Sequence, residues 1–280
     1  MSAKIYQFVT ERIIKQLEAG TIPWVRPWNT AKPKNLVTKK EYRGINRFML
    51  STVPSEYFLT FNQAKKLEGK VKKGAESYPV VFWKFLEVES KLNPDKLDKI
   101  PLLRYYSIFA ATDVEGIEDK IPQSETGTID SIAAAEEIVE NMPNRPEIVH
   151  GGSRAYYSPR KDIVGMPQRN DFLTAEHYYI SLFHELIHST GHSARLDRDP
   201  VNNHGGFGRE SYSKEELIAE MGSAFLSSTA NIETIKTIEN TAAYIKGWLK
   251  ALKDDTKLLI TAAGKAQKAA DYITNKQESF

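Results

Sequence analysis

The sequence lacks features that would each assign it to a familiar class of protein. Its 280 residues include no cysteine, which excludes a disulfide framework, a thiolate metal site and a cysteine nucleophile. It contains no run of about 18 apolar residues, so we expect no membrane-spanning helix. Residues 1–16 place charges within their apolar pattern, which is not typical of a secretory signal peptide. We therefore expect a cytoplasmic protein that does not contact the membrane.

Charge is distributed unevenly along the chain, although the net charge is only +2. Residues 1–86 contain 16 Lys and Arg against 6 Asp and Glu, whereas residues 87–280 contain 22 against 30. This asymmetry indicates a basic segment that meets a polyanion. The alternative is a lysine-rich surface that only contacts solvent.

Aromatic rings alternate with cations in the basic segment, a pattern that suits single-stranded nucleic acid. Cations follow the phosphates of a single strand, and rings stack on its exposed bases. The sequence shows no helix-turn-helix or zinc-finger pattern, which argues against reading of a duplex. Each tryptophan could equally belong to a core. The predicted DNA-binding residues are Trp24, Arg26, Trp28, Lys39, Lys40, Tyr42, Arg43, Asn46, Arg47, Lys72 and Lys73.

Hydrophobic periodicity predicts an α+β fold in two domains. Residues 78–89 and 102–117 are rich in β-branched and aromatic side chains and predict strands. Residues 147–167 predict a hairpin or two short strands. Long helices follow, one capped by Thr174 and another with Ser213 as its N-cap. A polar stretch places the domain boundary between a small α+β domain at 1–125 and a mainly helical domain with a short sheet at 126–280.

The segment "HELIHSTGH" carries the strongest chemical signal in the chain. His184 and His188 are four residues apart and therefore lie on one face of a helix, where both can reach one metal ion. Glu185 can then accept a proton from a metal-bound water, whose pKa zinc lowers to roughly 7. We predict Zn²⁺, with Mn²⁺ or another divalent ion as the alternative. The alternative is that both histidines lie on a core helix, are hydrogen-bonded to other partners and bind no metal.

The third metal ligand is predicted to be a glutamate. A metzincin would have histidine at position 194, which is Ala194, and His192 is too close along the chain to be an easy ligand. Glu216 and Glu220 share one face of a later helix, as in thermolysin-like enzymes. That pattern makes Glu216 the ligand and Glu220 the acid that supports a ligating histidine, although the reverse order and a purely surface role remain open. The small residues Ala219 and Gly222 are expected to let the two helices pack closely.

Blocks along nearly the whole chain resemble the ArdC-type antirestriction proteins of conjugative plasmids and related mobile elements. They include "QLEAGTIPWVRPW", "YRGINRFML", "RAYYSPRKDIVGMP", "YYISLFHELIHSTGHSARLDRD" and "EELIAEMGSAFL". The resemblance implies an N-terminal single-stranded-DNA-binding domain, a C-terminal zincin-like metallopeptidase domain and protection of incoming DNA from host restriction. It assigns the ligand role to His184 and His188 and the catalytic role to Glu185. The stretch "VESKLNPDKLDKIP" departs from the family's blocks.

Three functions are compatible with these features. The first is an antirestriction protein that binds single-stranded DNA and carries a metallopeptidase-like site. The second is an ordinary zinc metallopeptidase whose basic domain only recruits it, acting on a protein substrate that the sequence does not identify. The third is a single-stranded-DNA-binding protein with a structural metal site. The intact Glu185 favours a retained capacity for hydrolysis.

Overall fold

The protein folds into two compact units, each containing helices and strands. The computed structural model describes residues 2–20, 22–24, 32–50, 53–89, 97–122, 130–198, 210–233 and 242–276. The first unit comprises residues 1–15 with 31–125, and the second comprises residues 16–30 with 126–280. The α+β class predicted from the sequence is confirmed. Residues 16–30 belong to the second unit, whereas the sequence pattern predicts them in the first.

The first unit is built around a four-stranded sheet. The strand order is β1-β2-β5-β4, and β3 pairs with β6 in a separate two-stranded sheet. Helix α1 begins in this unit and ends in the second. The elements are α1 (Ser2–Glu18), β1 (Lys34–Asn35), α2 (Ile45–Leu50), β2 (Tyr57–Leu59), α3 (Phe61–Lys66), β3 (Lys70–Val71), β4 (Tyr78–Glu89), β5 (Leu97–Ala110) and β6 (Val114–Glu115).

Local sequence explains the main elements of the first unit. Runs rich in β-branched and aromatic residues make β4 and β5 a long antiparallel pair, in which Val81 lies opposite Tyr105. Thr60 begins α3 with a capping box: its hydroxyl accepts from the backbone of Gln63, whose side chain accepts from the backbone of Thr60. Phe58 is fully buried between the sheet and its neighbouring core residues. Tyr57 and Leu59 point to the face opposite Phe58 and are buried in a second cluster, so both faces of the sheet are covered at β2.

The second unit combines a three-stranded sheet with long helices. Its sheet has the order β7-β9-β8, with β7 parallel and β8 antiparallel to the central strand β9. The sequence pattern predicts only two strands in this region. The elements are α4 (Ser131–Glu140), β7 (Glu147–His150), β8 (Tyr156–Ser158), β9 (Ile163–Met166), α5 (Ala175–Ser189), α6 (Glu210–Thr229), α7 (Ala242–Asp254) and α8 (Leu258–Ile273).

Helices α5 and α6 pack closely, as the small residues of α6 predict. A methyl group built on Gly222 would lie 2.6 Å from Cδ1 of Ile187, so only glycine allows this approach. The hydroxyl of Ser223 adds a 3.0 Å hydrogen bond to the backbone carbonyl of Ile180 in α5. None of the helices in the described part of the chain combines the length and the hydropathy that crossing a bilayer requires.

The sequence predicts the start of α5 correctly but not the start of α6. Thr174 caps α5, and its hydroxyl accepts a hydrogen bond from the backbone of His177. Helix α6 begins at Glu210, so Ser213 lies inside the helix and is not its N-cap. The capping-box pattern is misleading because its glutamate, Glu216, faces the histidines of α5 rather than a helix start.

Candidate functional site

Helices α5 and α6 bring three ligand atoms together. The Nε2 atoms of His184 and His188 are 3.1 Å apart. Glu216 reaches them from α6, with Oε2 at 3.5 Å from Nε2 of His184 and Oε1 at 3.2 Å from Nε2 of His188. Among the residues that the structure describes, these three form the one group of His, Asp and Glu close enough to share an ion.

The separations within this triad suit a divalent metal ion. Metal–ligand distances of about 2.0–2.2 Å in a tetrahedral site place neighbouring ligand atoms roughly 3.3 Å apart. The observed separations of 3.1, 3.2 and 3.5 Å match that spacing. Three protein ligands leave a fourth position for water or substrate, which is the arrangement of catalytic rather than structural zinc sites. Two imidazoles and one carboxylate thus provide an open divalent-metal site.

A buried ion pair lies behind the second histidine. Oε1 of Glu215 is 3.6 Å from Nδ1 of His188, and the Arg198 guanidinium donates two hydrogen bonds to the Glu215 carboxylate. Arg198 also donates to the hydroxyl of Thr190 at 2.6 Å and to the carbonyl of Ile187 at 2.8 Å. Both members of the pair are at most 7% exposed. The pair therefore joins α6 to the end of α5 and contacts the ring of His188 on the side away from Glu216.

Sequence reasoning missed Glu215 and Arg198. The available signals were a second acid directly before Glu216 and an arginine ten residues after His188. Neither signal is specific, because acids are common near the N-terminus of a helix and basic residues are common near its C-terminus. Only the packing of α5 against α6 shows that these two side chains meet.

Attraction between the histidines and the carboxylates determines which groups of the triad are charged. Burial alone would raise the pKa of Glu216, but hydrogen bonds from His184 and His188 hold it far below its usual range. Burial alone would lower the pKa of His188, but Glu215 and Glu216 raise it to about 10. Both carboxylates are therefore charged at neutral pH, and a bound cation would replace the proton on His188.

Glu185 lies beside the triad and outside it. It follows His184 in α5, is half-buried, and its charge contributes to the raised pKa of His188. His192, the other nearby candidate ligand, accepts a hydrogen bond from the backbone of Ala194 through Nδ1. Glu185 is therefore not among the three side chains that could share an ion.

Glu220 differs from the role that the thermolysin-like pattern gives it. Its Oε2 accepts a 2.8 Å hydrogen bond from the indole nitrogen of Trp24. The acid behind the ligating His188 is instead Glu215. Glu220 shares the face of Glu216 but lies about 6 Å further along the axis of α6, where its carboxylate meets Trp24 instead of the histidines.

Trp24 belongs to the interior of the second unit. Its side chain is 2% exposed, and its ring meets that of Trp248 edge to face at a centroid distance of 6.1 Å. A base cannot stack on a ring so deeply buried, so the DNA-binding role predicted for Trp24 is corrected. The neighbouring candidates Arg26 and Trp28 lie outside the described residues.

Two further candidates for DNA contact are buried in the first unit, and a third is half-buried with its amide hydrogen-bonded to a strand. Tyr42 is 9% exposed, packs edge to face on Phe58, and burial raises its pKa to about 12. Arg47 is 6% exposed, and burial lowers its pKa to about 10. The amide of Asn46 makes two hydrogen bonds to the backbone of Val81, which completes the outer edge of β4. These side chains support the fold, and the structure does not agree with the DNA-binding role that the sequence pattern predicts for them.

The remaining candidates are exposed cations of the first unit. Lys39 lies 5.4 Å from the ring centroid of Tyr57, and Lys72 donates a 2.8 Å hydrogen bond to the carbonyl of Thr112. Both side chains are exposed. The predicted cations that the structure exposes are Lys39, Lys40, Arg43, Lys72 and Lys73.

Fold and site together define a protein with a zincin-like metal-binding unit and a smaller N-terminal unit, and comparison with known proteins agrees. Residues 133–265 match the zincin-like metallopeptidase family, and residues 3–109 match the N-terminal domain of anti-restriction factor ArdC. The chain is 37% identical to antirestriction protein ArdC from plasmid R388. The Mn(II)-bound crystal structure of that protein matches with a TM-score of 0.77 over 98% of both chains, and the metal-free structure with 0.76 over 97%. The chain belongs to the ArdC family of antirestriction proteins.

Curated relatives share the same sequence over almost the whole chain. Two proteins named DNA primase TraC from Escherichia coli are 33% and 32% identical over 96% of this chain. The chain spans only 20% and 27% of their lengths. Protein y4eC from Sinorhizobium fredii (strain NBRC 101917 / NGR234) is 33% identical, and the match covers 92% of it. The family therefore occurs both as a part of a longer protein and over almost the full length of one.

Proposed function

We propose that the protein binds single-stranded DNA through its first unit, carries a metal-dependent peptidase-like site in its second, and protects incoming conjugative DNA from host restriction. The observation that carries the proposal is the triad of His184, His188 and Glu216, with Glu185 next to His184 in α5. Membership of the antirestriction family supports the protective role. The relatives named DNA primase support a setting in which DNA is handled.

The residues of the second unit suggest how the site would work. Zn²⁺ is the proposed ion, with Mn²⁺ or another divalent ion as the alternative, and when bound it would polarise a water and a substrate carbonyl. Glu185 would accept the proton of that water and return it to the leaving amine. Glu215 would hold the His188 ring so that Nε2 faces the ion.

Two variants test the metal and the chemistry separately. The double variant His184→Ala/His188→Ala should lose the ion in elemental analysis of purified protein, because two of three ligands are gone. Glu185→Gln should keep a full equivalent of metal and lose proteolysis by about 10²–10⁴-fold. A double variant that retains its metal would move the site elsewhere. Restriction protection that survives in Glu185→Gln would favour a DNA-binding protein whose metal site is structural.

Salt dependence tests the DNA-binding part of the proposal. The full chain should bind a single strand more tightly than duplex, with little preference for sequence. Replacing the exposed cations in Lys40→Gln/Lys73→Gln should flatten the log–log dependence on salt by about 0.7 for each phosphate that the protein no longer neutralises. The matched control Lys265→Gln/Lys268→Gln removes two exposed lysines of α8 and should leave the slope unchanged. If both double variants flatten the salt dependence equally, the basic surface of the first unit contributes only non-specific electrostatic attraction.

A further inference from the structure

One face of the β4–β5 hairpin exposes a pair of aromatic rings. Phe82 lies directly opposite Arg104 in the strand register, and Tyr106 is the next residue on that face of β5. The rings of Phe82 and Tyr106 have centroids 5.3 Å apart and planes inclined at 58°. Phe82 is 38% exposed and Tyr106 is 40% exposed. Two touching rings with a cation beside them thus lie at the surface of the first unit.

The same face of the hairpin is buried a few residues away. Val80 and Ile108 are 1% and 0% exposed, and they pack in the cluster that contains Tyr42. Along β4, the side chains of this face therefore change from buried to exposed between Val80 and Phe82. The core is complete without the outer surfaces of Phe82 and Tyr106, and those surfaces remain open to a planar ligand.

A cation lies beside the aromatic pair. Arg104 is exposed and has no carboxylate partner within the described part of the chain. The hydrogen bonds of Asn46 to Val81 hold the start of α2 beside the strand that carries Phe82. A phosphate backbone that passes the rings would meet positive charge.

We propose that Phe82 and Tyr106 form a stacking platform for the bases of single-stranded DNA, with Arg104 contacting the phosphates. The inference rests on the proposed DNA-binding function and names the surface that performs it. Bases of a single strand present their flat faces, whereas those faces are covered in a duplex, so the platform selects single strands. Rings on a sheet surface stack bases of any identity, which explains binding without sequence preference.

The hairpin supplies its own control, because Tyr105 points to the opposite face. Tyr105 is 56% exposed and contacts the ring of Phe8 at a centroid distance of 6.2 Å. Tyr105→Leu and Tyr106→Leu therefore remove the same ring from adjacent residues on opposite faces of one strand. Tyr106→Trp keeps a stacking ring at the platform and serves as the rescue variant.

The test measures binding of a fluorescein-labelled oligothymidine to the full chain by anisotropy, across a series of salt concentrations. Tyr106→Leu should lose about 5- to 100-fold in affinity with an unchanged salt slope, because stacking on one base contributes that much and releases few ions. Tyr105→Leu and Tyr106→Trp should bind like the original protein, and Arg104→Gln should flatten the slope. Circular dichroism confirms that each variant is folded.

The outcomes separate this inference from the broader one. A loss of affinity in Tyr105→Leu equal to that in Tyr106→Leu would overturn the platform, and so would full affinity in a folded Tyr106→Leu. In both cases the unmodified chain still binds DNA, and the proposed function stands with a different surface. A chain that fails to bind the oligothymidine at low salt overturns both.

Discussion

Glu215 and Glu216 are adjacent in α6, yet they contact His188 at opposite ring nitrogens. Glu216 lies 3.2 Å from Nε2, and Glu215 lies 3.6 Å from Nδ1. Carboxylates on the Nδ1 side of a ligating histidine fix its orientation and direct the lone pair of Nε2 to the metal. The Arg198 guanidinium in turn holds Glu215. One dipeptide therefore supplies both a ligand and the support for another ligand.

Glu215→Gln should weaken metal affinity by about 10- to 100-fold, because the amide supports the His188 ring without a charge. The affinity is measured by competition with a chelator that reports free metal. The variant also leaves Arg198 without a charged partner and should be less stable. Metal titration at a temperature where circular dichroism shows folded protein removes that contribution. Unchanged affinity in the folded variant would show that Glu215 only supports the fold.

The same substitution made one helical turn apart should distinguish the two acids of α6. Glu216→Gln should empty the site, because a neutral amide is a poor ligand for a divalent ion. Glu220→Gln should keep a full equivalent of metal, since its amide oxygen can still accept from Trp24. Elemental analysis of both proteins reads the difference directly. Loss of metal from Glu220→Gln alone would reverse the assignment.

Gly222→Ala should destabilise the second unit by about 1–3 kcal/mol through overpacking. The added methyl would lie 2.6 Å from Cδ1 of Ile187, an atom that valine lacks. The double variant Gly222→Ala/Ile187→Val should therefore recover part of the loss, which urea denaturation measures as a coupling free energy. Purely additive effects in this cycle would contradict the close contact of α5 with α6.

Acid should remove the stabilising effect of an ion pair beside the three-stranded sheet. Burial alone would raise the pKa of Asp162, but hydrogen bonds from Arg195 and Tyr157 lower it below its usual 3.8. A lowered pKa in the folded state means that this stabilisation is present above pH 4 and is lost as the pH falls further.

Asp162→Asn should thus cost about 1 kcal/mol near neutral pH, since solvent screens the half-buried pair, and progressively less below pH 4. Asparagine tolerates the left-handed backbone at this position, where φ is 49°, so the variant isolates the charge. Urea unfolding between pH 3 and 7 gives the two free energies of unfolding. A difference that does not change with pH would assign the effect to hydrogen bonding alone.

Local patterns predicted the parts of the protein that local chemistry determines. The spacing of His184, Glu185 and His188 identifies a metal helix because the helical period alone places the two imidazoles together. The β-branched run at 78–89 predicted β4 with its observed bounds. Glu216 was also expected as a ligand, and the structure places it in the triad.

Roles that depend on how elements pack were not predictable from those patterns. Glu215, Glu216 and Glu220 are equivalent acids until the rotation of α6 is known. Trp24 and Tyr42 follow the same pattern of rings among cations whether they face a base or a core. The exposed ring of Tyr106 was missed because it lies in a run that is typical of an ordinary strand, and strand patterns do not say where a core ends.

The hydrogen bond of Trp24 to Glu220 joins residues 196 positions apart, with most of the first unit encoded between them. At about 5–20 residues per second, roughly 10–40 s separate the synthesis of Trp24 from that of Glu220. The first unit ends at residue 125 and is therefore synthesised before α6, the helix that carries both Glu216 and Glu220. Translation therefore allows the first unit to fold before the second unit can bring His184, His188 and Glu216 together.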